Sequence, residues 1–213
     1  MNRQLDLYLK KNYLYTMKIG ITGGMGSGKS FVCSIIENLG YPMFYSDKEA
    51  KWLMENNASL IAEIKKNVGN NAYTNNKINK EAIRKYIFNR EKNREKLNDI
   101  VHPAVYNHFE NWTQQFTSNT LIFNESALLI ETGSFKRFDK IILITASEEL
   151  KIKRLIQREN ITKEEIILRM KSQLSDEEKK VYADYIIENN EKELLLPKII
   201  RVLDQLNKVC STL

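Results

Sequence analysis

Five of the chain's eight glycines, Gly20, Gly23, Gly24, Gly26 and Gly28, fall within nine consecutive residues. A sequence so sparing of glycine elsewhere concentrates its backbone freedom at one place. The cluster follows residues 18–22, a short apolar run that reads as a strand, and precedes residues 29–39, which read as a helix closed by Gly40. Gly23-Gly24-Met25-Gly26-Ser27-Gly28-Lys29-Ser30 therefore matches the phosphate-cradling P-loop pattern in the strand–loop–helix context that the motif requires. The glycines let N–H groups approach phosphate oxygens, and the helix opening near Lys29 turns its positive end toward the anion. Lys29 is expected to reach the β- and γ-phosphates and the Ser30 hydroxyl to bind Mg²⁺. Gly24, Met25, Gly26, Ser27, Gly28, Lys29, Ser30 and Phe31 form the expected nucleotide-binding set. The bland alternative, a glycine-rich turn, is disfavoured by the flanking strand and helix. The motif points to ATP or GTP and leaves the acceptor open.

The remaining pattern alternates strands with helices, the signature of an α/β doubly wound parallel sheet. Strands are expected at 42–45, 120–124, 140–144 and 184–188. Helices are expected at 147–158, 162–173, 175–182 and 191–209, with capping boxes Thr162…Glu165 and Ser175…Glu178. A third capping box, Ser46-Asp47-Lys48-Glu49, is expected to open the helix after the second strand. Residues 59–117 are polar and helical in period, carry no strand signal, and read as a helical insert interrupted at Pro103. The expected organisation is an N-terminal extension at 1–16 and a P-loop core at 17–213, with the insert at about 59–117.

With 213 residues, the chain suits one compact domain with an appended part. The formal net charge of +6 suits a nucleic-acid binder or an enzyme of polyanionic metabolites. Lys and Arg are scattered among Asp and Glu, with no basic stripe interleaved with aromatics, which disfavours nucleic acid. Cys33 and Cys210 lie far apart in no metal-like spacing, which fits a reducing cytosol. No apolar run approaches a membrane span, and residues 1–16 lack the apolar core of a secretory signal.

The wider pattern resembles the dephospho-CoA kinase family. The resemblance is carried by Ile19 to Ser30, by Leu39-Gly40-Tyr41-Pro42-Met43-Phe44-Tyr45-Ser46-Asp47, and by Ile100-Val101-His102-Pro103. It continues through Leu128-Leu129-Ile130-Glu131, Ile152 to Arg158, Arg169-Met170-Lys171-Ser172-Gln173, and Ala183 to Asn189. These blocks stand in the family's order from Met17 to about Leu206. The resemblance implies a P-loop kinase core at 17–213, a helical CoA domain in the insert at about 59–117 and a lid at about 154–172. It also implies transfer of the ATP γ-phosphate to the ribose 3′-hydroxyl of dephospho-CoA. The chain departs from the family's habit at Phe31, at Tyr45-Ser46-Asp47, where only the second acid remains, and at Glu125-Ser126-Ala127.

On that resemblance Asp47 is the candidate general base; from position alone it complements the helix dipole. Arg154 and Arg158, four apart on one helix face, are candidates for neutralising the transferring phosphate, one or the other; the alternative is a solvated basic face. His102 and Arg84 are candidate acceptor contacts, each balanced by a plain helix-surface reading. His102 and His108 do not share a helix face, which disfavours a two-histidine metal site. Glu125, ending a buried strand, is the candidate acid of the Mg²⁺ site beside Ser30. Another small-molecule kinase, such as a nucleoside monophosphate or shikimate kinase, and a nucleotide-sensing binding module stand as alternatives.

Overall fold

The computed structural model describes residues 16–75, 77–89, 91–116, 120–158 and 161–212. The expected extension lies outside these apart from Thr16. Two compact units are present, one built from residues up to Phe44 and from Phe116 onward, the other from Tyr45–Gln115.

The first unit is organised by a five-stranded sheet in the order β2-β5-β1-β6-β7. Its strands are β1 (Met17–Thr22), β2 (Met43–Tyr45), β5 (Leu121–Glu125), β6 (Lys140–Thr145) and β7 (Tyr185–Glu188). β1 pairs in parallel with β5 and β6, and β6 pairs in parallel with β7. Continuous apolar runs explain this. Ile19, Ile21, Ile122, Phe123 and Ile142 to Ile144 are fully buried, the pattern of parallel strands covered on both faces. The helices that cover them present apolar stripes. Val32, Cys33 and Ile36 come from Lys29–Asn38, and Ile199, Leu203 and Leu206 come from Leu195–Cys210. Each buried Ile or Leu contributes about 1.5–3 kcal/mol relative to exposure. The Lys29–Asn38 helix ends as a Schellman motif, with Gly40 N–H donating to Glu37 O and Tyr41 N–H to Ile36 O. Because β1 sits at the centre while the chain passes first to β2 and later to β6, the loop after β1 opens where the strand order reverses. Ligands of open α/β sheets bind there, outside the strands' carboxyl ends.

Helices Glu148–Arg158, Lys163–Lys171 and Asp176–Lys180 follow β6, and both expected capping boxes are present at Thr162 and Ser175. In each, the hydroxyl accepts the N3 amide while the N3 Glu accepts the cap amide. The box expected at Ser46 does not form. Tyr45, extended at φ −105°, is the residue before the helix, so Ser46 is already its first helical position. β2 runs into the helix with no connecting residue to act as a side-chain cap.

The second unit packs helices Ser46–Asn56, Ala58–Val68, Lys80–Asn89 and Glu91–Thr113 around Leu53, Leu60, Ile64, Ala72, Tyr73, Leu97 and Val101. It starts ahead of residue 59 because Leu53, in the helix that follows β2, belongs to this same cluster. Two expectations for this stretch are corrected. Pro103 does not interrupt the last helix, which runs 23 residues through it. Proline removes one helical hydrogen bond, but Leu97 and Val101 before it and Ala104 and Val105 after it pack on one cluster, holding both halves in line. The stretch also contains an antiparallel hairpin, β3 (Tyr73–Thr74) with β4 (Lys77–Ile78). Strands of two residues are too short for any alternation to register. Asn79 opens the next helix by accepting the Ala82 amide on its side chain.

Candidate active site

β1 delivers the chain into the loop Gly23 to Gly28, and Gly28, in the left-handed region at φ 88°, caps the Lys29–Asn38 helix. The loop is folded on itself by Ser27 N–H donating to Gly24 O. Lys29 leaves the first helical position, and its Nζ stands 3.8 Å from Glu125 Oε1, both side chains about nine-tenths buried. Glu125 is the last residue of β5, the strand beside β1. An ammonium and a carboxylate in so dry a place attract strongly, since little water screens them. Ser30 is exposed next to Lys29, and Phe31 is 61% exposed. A serine hydroxyl and a carboxylate are the oxygen donors that suit Mg²⁺.

The loop is held from outside by side chains of later elements. Met25 N–H donates to Gln173 Oε1 at 3.1 Å. Arg154 Nη1 donates to the carbonyls of Gly26 and Ser27, at 3.2 and 3.4 Å. Its Nη2 donates to Asn189 O and to Glu191 Oε1, both at 2.9 Å, and its Nε donates to Glu191 as well. The buried Asn189 amide donates to Ser27 O at 3.0 Å. Lys151, 7% exposed, pairs with Asp176 beside Gly24. Of the two candidate arginines, Arg154 thus sits on the loop backbone, and Arg158 is exposed at the last residue of the same helix.

Further out, Glu131 Oε1 accepts Leu174 N–H and lies 2.8 Å from the fully buried Lys179 Nζ. Among the described residues that ammonium is close in distance yet makes no directed hydrogen bond, and Glu131 Oε2 has no hydrogen-bond partner. At the opposite end of β7, Asp184 accepts Ile141 N–H and Lys140 Nζ, each at 2.8 Å. The hydrogen bond that Lys140 donates to Asp184 raises the pKa of the Lys140 ammonium above the usual lysine range. Glu131, Gln173, Asp184 and Asn189 all lie in the sequence blocks of the family pattern, but nothing in local composition assigns them a role. Their partners are 35 to 162 residues away.

Asp47, Arg84 and His102 belong to the second unit, on three different helices. Asp47 is exposed in the first turn of Ser46–Asn56, two residues past β2. Arg84 is exposed, and Phe88, one turn on, is 76% exposed. His102 is exposed ahead of Pro103. His108 stacks on Trp52 at 5.7 Å and meets Glu49 Oε2 at 3.1 Å, which gives it a structural partner apart from His102. Among the described residues no group of three or more His, Cys, Asp or Glu could hold a metal ion, and no helix is long and apolar enough to cross a membrane.

Known proteins are similar to this chain in sequence and in fold. The family model described as dephospho-CoA kinase matches residues 17–194. A protein of Bacteroides fragilis named dephospho-CoA kinase is 35% identical over 199 residues, covering 92% of this chain and 97% of its own. One of Fusobacterium nucleatum with the same name is 36% identical over 187 residues, covering 87% and 96%. A crystal structure from Thermus thermophilus superposes with a TM-score of 0.78 at 28% identity over 90% of this chain and 96% of its own. Dephospho-CoA kinase from Campylobacter jejuni gives 0.66 at 26% identity, over 90% and 97%. A shikimate kinase from Bacteroides thetaiotaomicron, at 0.52 and 14% identity over 90% and 99%, shares the fold alone. On this match across nearly its whole described length, the chain belongs to the dephospho-CoA kinase family.

Proposed function

We propose that the chain transfers the γ-phosphate of ATP to the ribose 3′-hydroxyl of dephospho-CoA, giving coenzyme A and ADP. The observation that carries this reading is the P-loop with Lys29 3.8 Å from Glu125, in a chain of this family. Gly28, Lys29 and Ser30 offer backbone N–H groups to the phosphates at a helix start. The Lys29 ammonium follows the charge of the γ-phosphate as the bond to ADP breaks. Ser30 and Glu125 are the residues to hold Mg²⁺, which when bound neutralises charge on the β- and γ-phosphates. Asp47 orients the acceptor hydroxyl and takes its proton while oxygen bonds to phosphorus. Arg84 and His102 contact the acceptor. Arg154 or Arg158, on one helix, is the residue to neutralise the transferring phosphate, and Arg154 already donates to the loop carbonyls. Cys33 and Cys210 are buried thiols in no disulfide, which supports a cytoplasmic setting.

The test is ADP release from ATP and Mg²⁺ with and without dephospho-CoA. The proposal expects turnover that depends on this acceptor. Tight ATP binding without acceptor-dependent turnover would mark a binding module. Turnover only with shikimate or a nucleoside monophosphate would mark another kinase of this fold.

A further inference from the structure

The Ser27–Gly28 peptide is gripped from one side. Its carbonyl accepts from Asn189 Nδ2 at 3.0 Å and from Arg154 Nη1 at 3.4 Å. A carbonyl only accepts, so the Asn189 atom facing it must be the amide nitrogen, which fixes the flip of this side chain. The peptide unit is planar and trans, so its C=O and N–H point in opposite directions. Pinning the Ser27 carbonyl against Asn189 therefore aims the Gly28 N–H away from Asn189. Gly28 itself records the grip. Its φ is +88°, and a Cβ there would stand 2.1 Å from Asn189 Nδ2, so the amide occupies the space that any other residue would need. Asn189 is anchored on both sides. It is 9% exposed, its N–H donates to Thr145 O at the end of β6, and its carbonyl accepts from Arg154 Nη2. Arg154 is held in turn by Glu191, a non-glycine residue at φ +60°, a conformation kept where surrounding contacts over-determine it.

We propose that Asn189, seconded by Arg154, is a positioning residue for nucleotide binding: it sets the peptide plane that presents the Gly28 N–H to the phosphates. It acts through the loop backbone that it touches. This goes beyond the proposed reaction and rests on it only in taking the loop as the nucleotide site.

The test is the dissociation constant of ADP, measured by calorimetric titration with no acceptor present. Asn189→Asp keeps the shape, removes the donor and sets a carboxylate against the Ser27 carbonyl. It is expected to weaken ADP about tenfold or more, while the KM for dephospho-CoA stays within about twofold. Asn189→Ala removes the donor without adding charge and is expected to weaken ADP in the same direction by a smaller factor. Asp184→Asn cuts a hydrogen bond at the far end of β7; it is expected to lower the melting temperature and leave the ADP constant unchanged. A folded Asn189→Asp or Asn189→Ala protein with native ADP affinity overturns the proposal. So does an equal loss of ADP affinity in Asp184→Asn, which would make the effect one of general stability. If both Asn189 variants fail to fold, Asn189 is a determinant of the fold and the positioning role is overturned. A chain that binds ADP but does not phosphorylate dephospho-CoA contradicts the proposed reaction and leaves this inference standing.

Discussion

The ammonium of Lys29, first residue of the helix that follows the loop, stands 3.8 Å from the carboxylate of Glu125, last residue of β5. At that separation, with both side chains about nine-tenths buried, the two attract by charge with little water to screen them.

Lys29→Ala removes this cation from the transferring charge. It is expected to lower kcat by roughly 10²–10³-fold, the scale of one lost electrostatic contact. The circular dichroism spectrum should stay native. Steady-state kinetics on the folded variant check this, and unchanged turnover would take the P-loop out of the mechanism.

Glu125→Gln keeps the shape and removes the charge. The Mg²⁺ concentration for half-maximal activity is expected to rise about 10-fold or more. A magnesium titration at saturating ATP reads it; an unchanged midpoint would detach Glu125 from the metal.

Asp47→Asn retains an acceptor and loses the ability to take a proton. kcat with dephospho-CoA should fall by roughly 10²-fold or more, while ATP affinity and thermal stability hold. A loss under about threefold would return Asp47 to the role of a first-turn acid favouring the helix dipole.

Lys179→Met strands Glu131 in a nearly dry place. Unfolding free energy should drop by about 3 kcal/mol or more. The double variant Glu131→Gln with Lys179→Met is expected to recover part of that. Urea denaturation of Lys179→Met, Glu131→Gln and the double variant supplies the comparison, and independent additive losses would mean that the pair is not coupled.

The loop could be read in the sequence because Gly23 to Ser30 carry their chemistry in consecutive residues, framed by one apolar strand and one helix. The buried strands were legible for a similar local reason, as were the capping boxes at Thr162 and Ser175. Ser46 shows where such reading fails. The same residue types occur there, but β2 runs straight into the helix and no residue takes the capping geometry. Pro103 fails in the other direction, because local propensity says break and packing of Leu97, Val101 and Ala104 says continue. The side chains that hold the loop were unreadable as such. Asn189 meets Ser27 across 162 residues of sequence, a contact that only the parallel order of β1, β6 and β7 creates. Arg154 looked like a surface or lid arginine from its spacing to Arg158. Its place on the Gly26 and Ser27 carbonyls follows from where β6 lies beside β1.

The central claim is a regiospecific transfer, and product analysis tests it most directly. The protein is incubated with ATP labelled in the γ-phosphate, Mg²⁺ and dephospho-CoA, and the acceptor is isolated and examined by phosphorus NMR. The account predicts that label enters the acceptor as a phosphomonoester coupled to the ribose 3′ proton, one for each ADP formed. ADP formed with no label in the acceptor, or label on any other oxygen, would contradict it.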